Sequence, residues 1–168
     1  MARKRIENFE AAQETFERLR SPGALLIAGA GKINVMTIGW GTIGIVWSRP
    51  VFIVLVRPSR HTHSFLEEHD EFTVCIPTPE MKEKVTLCGT KSGRDVDKIK
   101  ECGFAMEKGE LVNVPFIAQC PIHYECRVLQ RNQVLPEELD PEVTDEYYSN
   151  GDYHTVYYGE ILGAFKEA

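Results

Sequence analysis

The chain has 168 residues, 43% hydrophobic and 26% charged, the balance of one globular domain that buries about two-thirds of its unfolded surface. Nineteen basic residues against 25 acidic give a net charge of −6, and no basic stripe points to nucleic acid. The apolar run at 51–56 is far short of the ~20 residues that cross a bilayer, and the N-terminal MARKRIENFEAAQETFERLR has no signal-peptide apolar core, so a cytoplasmic protein without membrane contact is expected.

Ile6, Phe9, Ala12, Phe16 and Leu19 are spaced for one face of an amphipathic helix, predicted over about 6–20 and stopped by Ser21-Pro22-Gly23. Strands are predicted over 24–30, 35–38, 42–47 and 51–56, with Gly39 and Gly41 as bends between the second and third, and Pro50 where a missing N–H does least harm. A short helix follows from Thr62 or Ser64 to Glu68, because Ser64-x-x-Glu67 has capping-box spacing. Then come a strand at 72–76, a helix at 79–87, a turn at 91–94, a short helix at 95–102, and long strands at 122–130 and 154–165. Many strands, few helices and a single strand–helix–strand crossover predict a mainly β protein, an antiparallel barrel with flanking helices over residues 1–168.

The charge is uneven. Between 131 and 152 stand Glu137, Glu138, Asp140, Glu142, Asp145, Glu146 and Asp152 against Arg131 alone, so this segment carries the whole excess. It reads as a solvated loop or as a flap over a site. The five cysteines Cys75, Cys88, Cys102, Cys120 and Cys126 lack CxxC spacing and read as reduced, packed thiols.

Three clusters could carry chemistry. The first is the turn after the strand at 51–56: Arg57 and Arg60 offer forks of donors, Ser59, Thr62 and Ser64 add hydroxyls, and a helix start adds free N–H groups, together suited to a phosphate. The same residues also make an ordinary capped helix with two surface arginines. The second is Cys88-Gly89-Thr90-Lys91-Ser92-Gly93-Arg94 on to Lys98, which allows close backbone approach beside positive charge and equally fits a plain helix connection. The third is His154, heading the last strand after Asn150-Gly151-Asp152-Tyr153.

Other readings are weaker. Gly39-x-Gly41-x-x-Gly44 opens no helix and is rejected as a dinucleotide fingerprint. Cys120-x-x-His123-x-x-Cys126 on a strand puts His123 on the face opposite the two cysteines, and His61-x-His63 has no third ligand, so no metal is expected.

With these words in order, Asn34–Trp40, Arg57–Thr62, Phe72–Pro77, Cys88-Gly89, Ser92–Lys98, and His154 with Tyr158–Ile161, the chain resembles the flavin reductase-like family of FMN-binding split barrels, its flavoredoxin branch most of all. The resemblance implies a Greek-key split barrel that binds FMN as a homodimer and passes electrons from NAD(P)H to a flavin or a redox protein. It places Asn34, Met36, Thr37 and Ile38 along the flavin, with Arg57, Ser59, Arg60, Thr62 and Ser64 as phosphate candidates. Cys88, Gly89, Ser92, Gly93, Arg94 and Lys98 would close the site, and His154 would lie beside the ring or the nicotinamide as the catalytic candidate. Reductase partners of two-component monooxygenases carry Gly-Asp-His contiguously, whereas Gly151-Asp152-Tyr153-His154 is interrupted here. That departure favours a flavoredoxin-type carrier fed by a protein, with a non-catalytic flavin-binding module as the remaining alternative.

Overall fold

A computed structural model describes residues 2–168. Its ten strands are β1 (Arg3–Ile6), β2 (Ala24–Ala28), β3 (Asn34–Ile38), β4 (Gly41–Val46), β5 (Arg49–Val56), β6 (Glu71–Ile76), β7 (Met106–Glu107), β8 (Phe116–Ile117), β9 (Ile122–Gln133) and β10 (Thr155–Glu167). Five helices join them: α1 (Ala12–Arg20), α2 (His61–Glu68), α3 (Lys82–Thr90), α4 (Lys98–Cys102) and α5 (Pro141–Tyr147). Eight strands form one antiparallel sheet in the order β3-β2-β6-β9-β10-β5-β4, with β1 also on β10; β7 and β8 make a separate hairpin.

The 13-residue β10 organises the sheet. One edge pairs along β9, while the other pairs with β5 over Thr155–Glu160 and with β1 over Ala164–Glu167. Serving three partners requires a bend, and the β9 register shifts at Tyr158/Gly159 and Ile161/Gly163 supply it. At Gly159 the approach is so close that a Cβ would lie 2.3 Å from Phe72 Cζ. Two apolar cores flank the sheet. The inner one holds Leu26, Phe52, Phe72, Tyr124 and Tyr157; the outer one, beneath α3 and α4, holds Leu25, Ile27, Val85, Phe104 and Ile117. β2 feeds both faces, which is why ALLIA is apolar throughout instead of alternating.

The N-terminus departs from expectation. Residues 3–6 form an edge strand, and the helix predicted over 6–20 begins only at Ala12. Ile6 is fixed opposite Ala164 in the sheet, and the turn after it breaks the phase of the apolar stripe. Phe9 and Phe16 are consequently exposed, while Thr15 and Leu19 face inward, Thr15 sharing a 2.7 Å hydrogen bond with Tyr124. The capping box also fails. α2 starts at His61 with Arg60 as its cap, so Ser64 lies inside the helix and donates to the His61 carbonyl at 2.9 Å. The acidic segment is not plain loop, because it contains α5, capped by Asp140, with no buried residue of its own. All five cysteines are free and buried. Among the described residues no helix is long and apolar enough to cross a membrane.

Candidate functional site

The site is built where β5 ends. Pro58 breaks the strand, and the chain turns through Ser59 and Arg60 into α2. Arg60 points inward and donates to the carbonyls of Gly89 (2.7 Å) and Cys88 (3.1 Å), the open C-terminal end of α3. Lys98, 3% exposed at the start of α4, reaches the same place and donates to the carbonyls of Cys88 and Val35, both at 2.9 Å. Neither cation has a carboxylate partner among the described residues. Burial and the neighbouring Arg60 charge bring the Lys98 pKa down to about 8.

Around these cations the walls are close-fitted. Asn34 donates from Nδ2 to the buried Thr62 hydroxyl at 2.7 Å. Gly93 packs on the other side of that amide, where a Cβ would lie 2.0 Å from Asn34 Oδ1. Thr37 donates to the Val85 carbonyl at 2.5 Å and tethers β3 to α3. The Cys88 thiol faces Cys102, 3.9 Å away, and burial with that contact pushes its pKa up to about 12, so it is no thiolate nucleophile.

Three cavities open onto this framework. One of about 230 Å³ is lined by Met36, Thr37, Ile38, Trp40, Arg57 and His154, among others. A second of about 170 Å³ is lined by Asn34, Ser59, His61, Thr62, Lys91 and Ser92, again among others. Arg60 stands in the wall of both. A third of about 380 Å³ lies between residues 32–35 and 93–99 and shares Asn34 and Lys98 with the second. His61 is drawn below the usual histidine range by burial and then by Arg94, Lys32 and Lys98, which marks how much positive charge converges there.

A strap, residues 147–154, borders the first cavity through His154. Arg57 donates to the carbonyls of Tyr147 (2.8 Å) and Asp152 (3.1 Å), and its guanidinium lies 5.0 Å from the Tyr148 ring centre. Asp152, with φ 58°, accepts from the Ser59 N–H at 3.1 Å and the Ser59 hydroxyl at 2.5 Å. Tyr148 and Nδ1 of His154 are 2.7 Å apart, and Trp40 packs against both Tyr147 and His154. Burial, then the Arg57 charge, lowers the His154 pKa to about 4, so its ring is neutral at physiological pH.

The structure gathers most of the residues singled out from the sequence. Met36, Thr37, Ile38, Arg57, Arg60 and His154 share the first cavity, while Asn34, Ser59, Thr62, Ser92 and Lys98 share the second with Arg60. Gly93 and Arg94 line the third, and Cys88 and Gly89 contribute carbonyls only. Ser64 stands apart, its hydroxyl spent within α2. Tyr148 and the Asp152 latch escaped sequence reasoning. Two adjacent tyrosines inside an otherwise acidic stretch were the available signal, since a solvated segment has no use for a buried aromatic.

The sequence model of the flavin reductase like domain matches residues 16–167. An uncharacterized protein of Archaeoglobus fulgidus is 33% identical over 138 residues, covering 82% of this chain and 68% of its own. Among solved structures, the flavoredoxin of Methanosarcina acetivorans matches with a TM-score of 0.70 at 31% identity, over 87% of this chain and 68% of that one. The flavoredoxin of Desulfovibrio vulgaris shares the fold with a TM-score of 0.68 at 22% identity, over 87% and 69%.

Proposed function

The chain belongs to the flavin reductase-like family, and on that premise we propose that it binds FMN across the first two cavities and acts as an oxidoreductase. The observation that carries this reading is the Arg60–Lys98 pair. Two cations partly or wholly withdrawn from water, sharing one carbonyl and lacking a carboxylate, are costly unless an anion arrives. The FMN phosphate supplies that anion.

The remaining residues fit the same group. Arg60, Lys98, Thr62, Ser92 and Lys91 would hold the phosphate in the second cavity, where Gly93 lets the chain approach Asn34. Residues 36–38 and Trp40 would line the ring in the first. Arg57, a phosphate candidate by sequence, spends its donors on the strap, and Ser59 is engaged by Asp152. When bound, the flavin supplies the electron-transfer chemistry, and the protein binds and orients it. His154 faces the same cavity as a neutral group and orients a reductant by hydrogen bonding.

On this reading the electron source is NAD(P)H and the acceptor a second flavin or a redox protein. The five free, buried cysteines suit a reducing, cytoplasmic setting. Exposed Ile45 and Trp47, on the edge strand β4 and the turn after it, suit a homodimer that covers this edge. A second reading is a flavoredoxin-type carrier that receives electrons from a protein, favoured by Tyr153 between Asp152 and His154 and by the 31% identity to the Methanosarcina flavoredoxin. Mixing the FMN-loaded protein with NADH or NADPH without air separates the two. Bleaching of the flavin band supports the reductase; a band that only dithionite bleaches supports the carrier.

A further inference from the structure

His154 has two ring nitrogens, and which one carries the proton decides what the cavity is offered. Nδ1 is committed to the Tyr148 hydroxyl at 2.7 Å, while Nε2 has no hydrogen bond within the described residues and belongs to a ring that lines the first cavity. The contact has two possible polarities. In one, the phenol donates to Nδ1 and Nε2 keeps the proton. In the other, Nδ1–H donates to the phenol and Nε2 is bare.

Two features decide between them. A phenol O–H is a stronger hydrogen-bond donor than a neutral imidazole N–H, and an imidazole nitrogen a stronger acceptor than a phenol oxygen, so the 2.7 Å contact favours the phenol as donor. The phenol is also fixed in place: its ring is buried, stacked on Tyr153 at 4.7 Å and edge-on to His154. It cannot swing out to satisfy its proton with water.

We propose that Tyr148 is a positioning residue that locks His154 as the Nε2–H tautomer, so that His154 presents a hydrogen-bond donor to a carbonyl oxygen held in the first cavity. A bare Nε2 would instead select a donor and repel a carbonyl. Use of this donor on a nicotinamide carboxamide or a flavin carbonyl rests on the FMN oxidoreductase reading above; the tautomer itself does not.

The first arm of the test needs no cofactor. Two-bond proton–nitrogen correlation spectra of the ¹⁵N-labelled full chain show which His154 nitrogen is protonated. Nε2–H is expected in the native chain, and a mixture of tautomers in Tyr148→Phe, which keeps the ring and removes the hydroxyl. A native Nδ1–H tautomer overturns the proposal whatever the protein binds. The second arm compares Tyr148→Phe with the native chain after FMN loading. Flavin bleaching by NAD(P)H should slow roughly five- to tenfold, the worth of one oriented hydrogen bond, while the Kd for FMN stays within about twofold. If dithionite reduction keeps its rate, the carbonyl belongs to the nicotinamide; if it slows in parallel, it belongs to the flavin. An unchanged rate with NAD(P)H, or a loss of FMN affinity that accounts for the whole effect, overturns the positioning role. A chain that takes up no FMN removes the oxidoreductase reading and leaves the tautomer to be decided by the first arm.

Discussion

At the scale of single residues, the chemistry turns on Lys98. Its amine is buried beside the Arg60 charge, so the charged form is disfavoured and its pKa falls from 10.5 to about 8 even though it donates to two carbonyls. A bound phosphate would favour the charged form again. FMN uptake should therefore bind a proton, and FMN affinity should fall as pH rises through about 8, measurable as a pH series of titrations. For the free protein the sign is opposite. The unfolded chain keeps this proton up to the ordinary lysine range, so the Lys98 contribution to folding improves as pH rises from about 8 towards 10.5 and its benefit is absent below. Lys98→Met should flatten the affinity profile. A native profile without slope between pH 7 and 9 would mean that Lys98 does not meet the phosphate.

At the scale of elements, β10 and the strap before it link stability to the site. Gly159 permits the bend that lets β10 serve β9, β5 and β1 together, and Phe72 and Cys126 fill the space that a side chain would need. Gly159→Ala should destabilise the fold by roughly 1–3 kcal/mol, seen as a lower denaturant midpoint at unchanged m-value. Most of this architecture was legible in the sequence. The strands at 51–56 and 72–76 announce themselves as short apolar runs, and the long pair as partial alternation over 122–130 and 154–165, which the structure extends to Gln133 and Glu167. The first strand was not legible. RKRI has no strand pattern of its own and exists because β10 offers a free edge beyond β5. The site was half legible for a similar reason. Arg57 and Arg60 look alike three residues apart, but the turn between them sends one to the strap and the other beneath α3. Sequence spacing does not encode that divergence. Nor could it show that Asp152 takes the Ser59 donors that a phosphate might have used.

At the scale of the whole molecule, the acidic segment reaches the residue that leads into β4, since Trp40 and Tyr147 are in contact and both are partly exposed. The β4 edge carries Ile45 at 64% exposure, and the turn after it carries Trp47 at 55%, a large apolar surface for a lone chain. If that edge is the homodimer contact, sedimentation should give a dimer for the native chain and a monomer for Ile45→Glu combined with Trp47→Ser. A native monomer would remove this contact. Arg60 and Lys98, which have no carboxylate partner among the described residues, would form the seat of an FMN phosphate, and FMN titration of the flavin-free chain measures this. The expected result is one FMN per chain, with Arg60→Ala raising the Kd by roughly 10- to 150-fold, the worth of a charge-assisted hydrogen bond. Failure of the native chain to take up FMN, or equal affinity in Arg60→Ala, would contradict it.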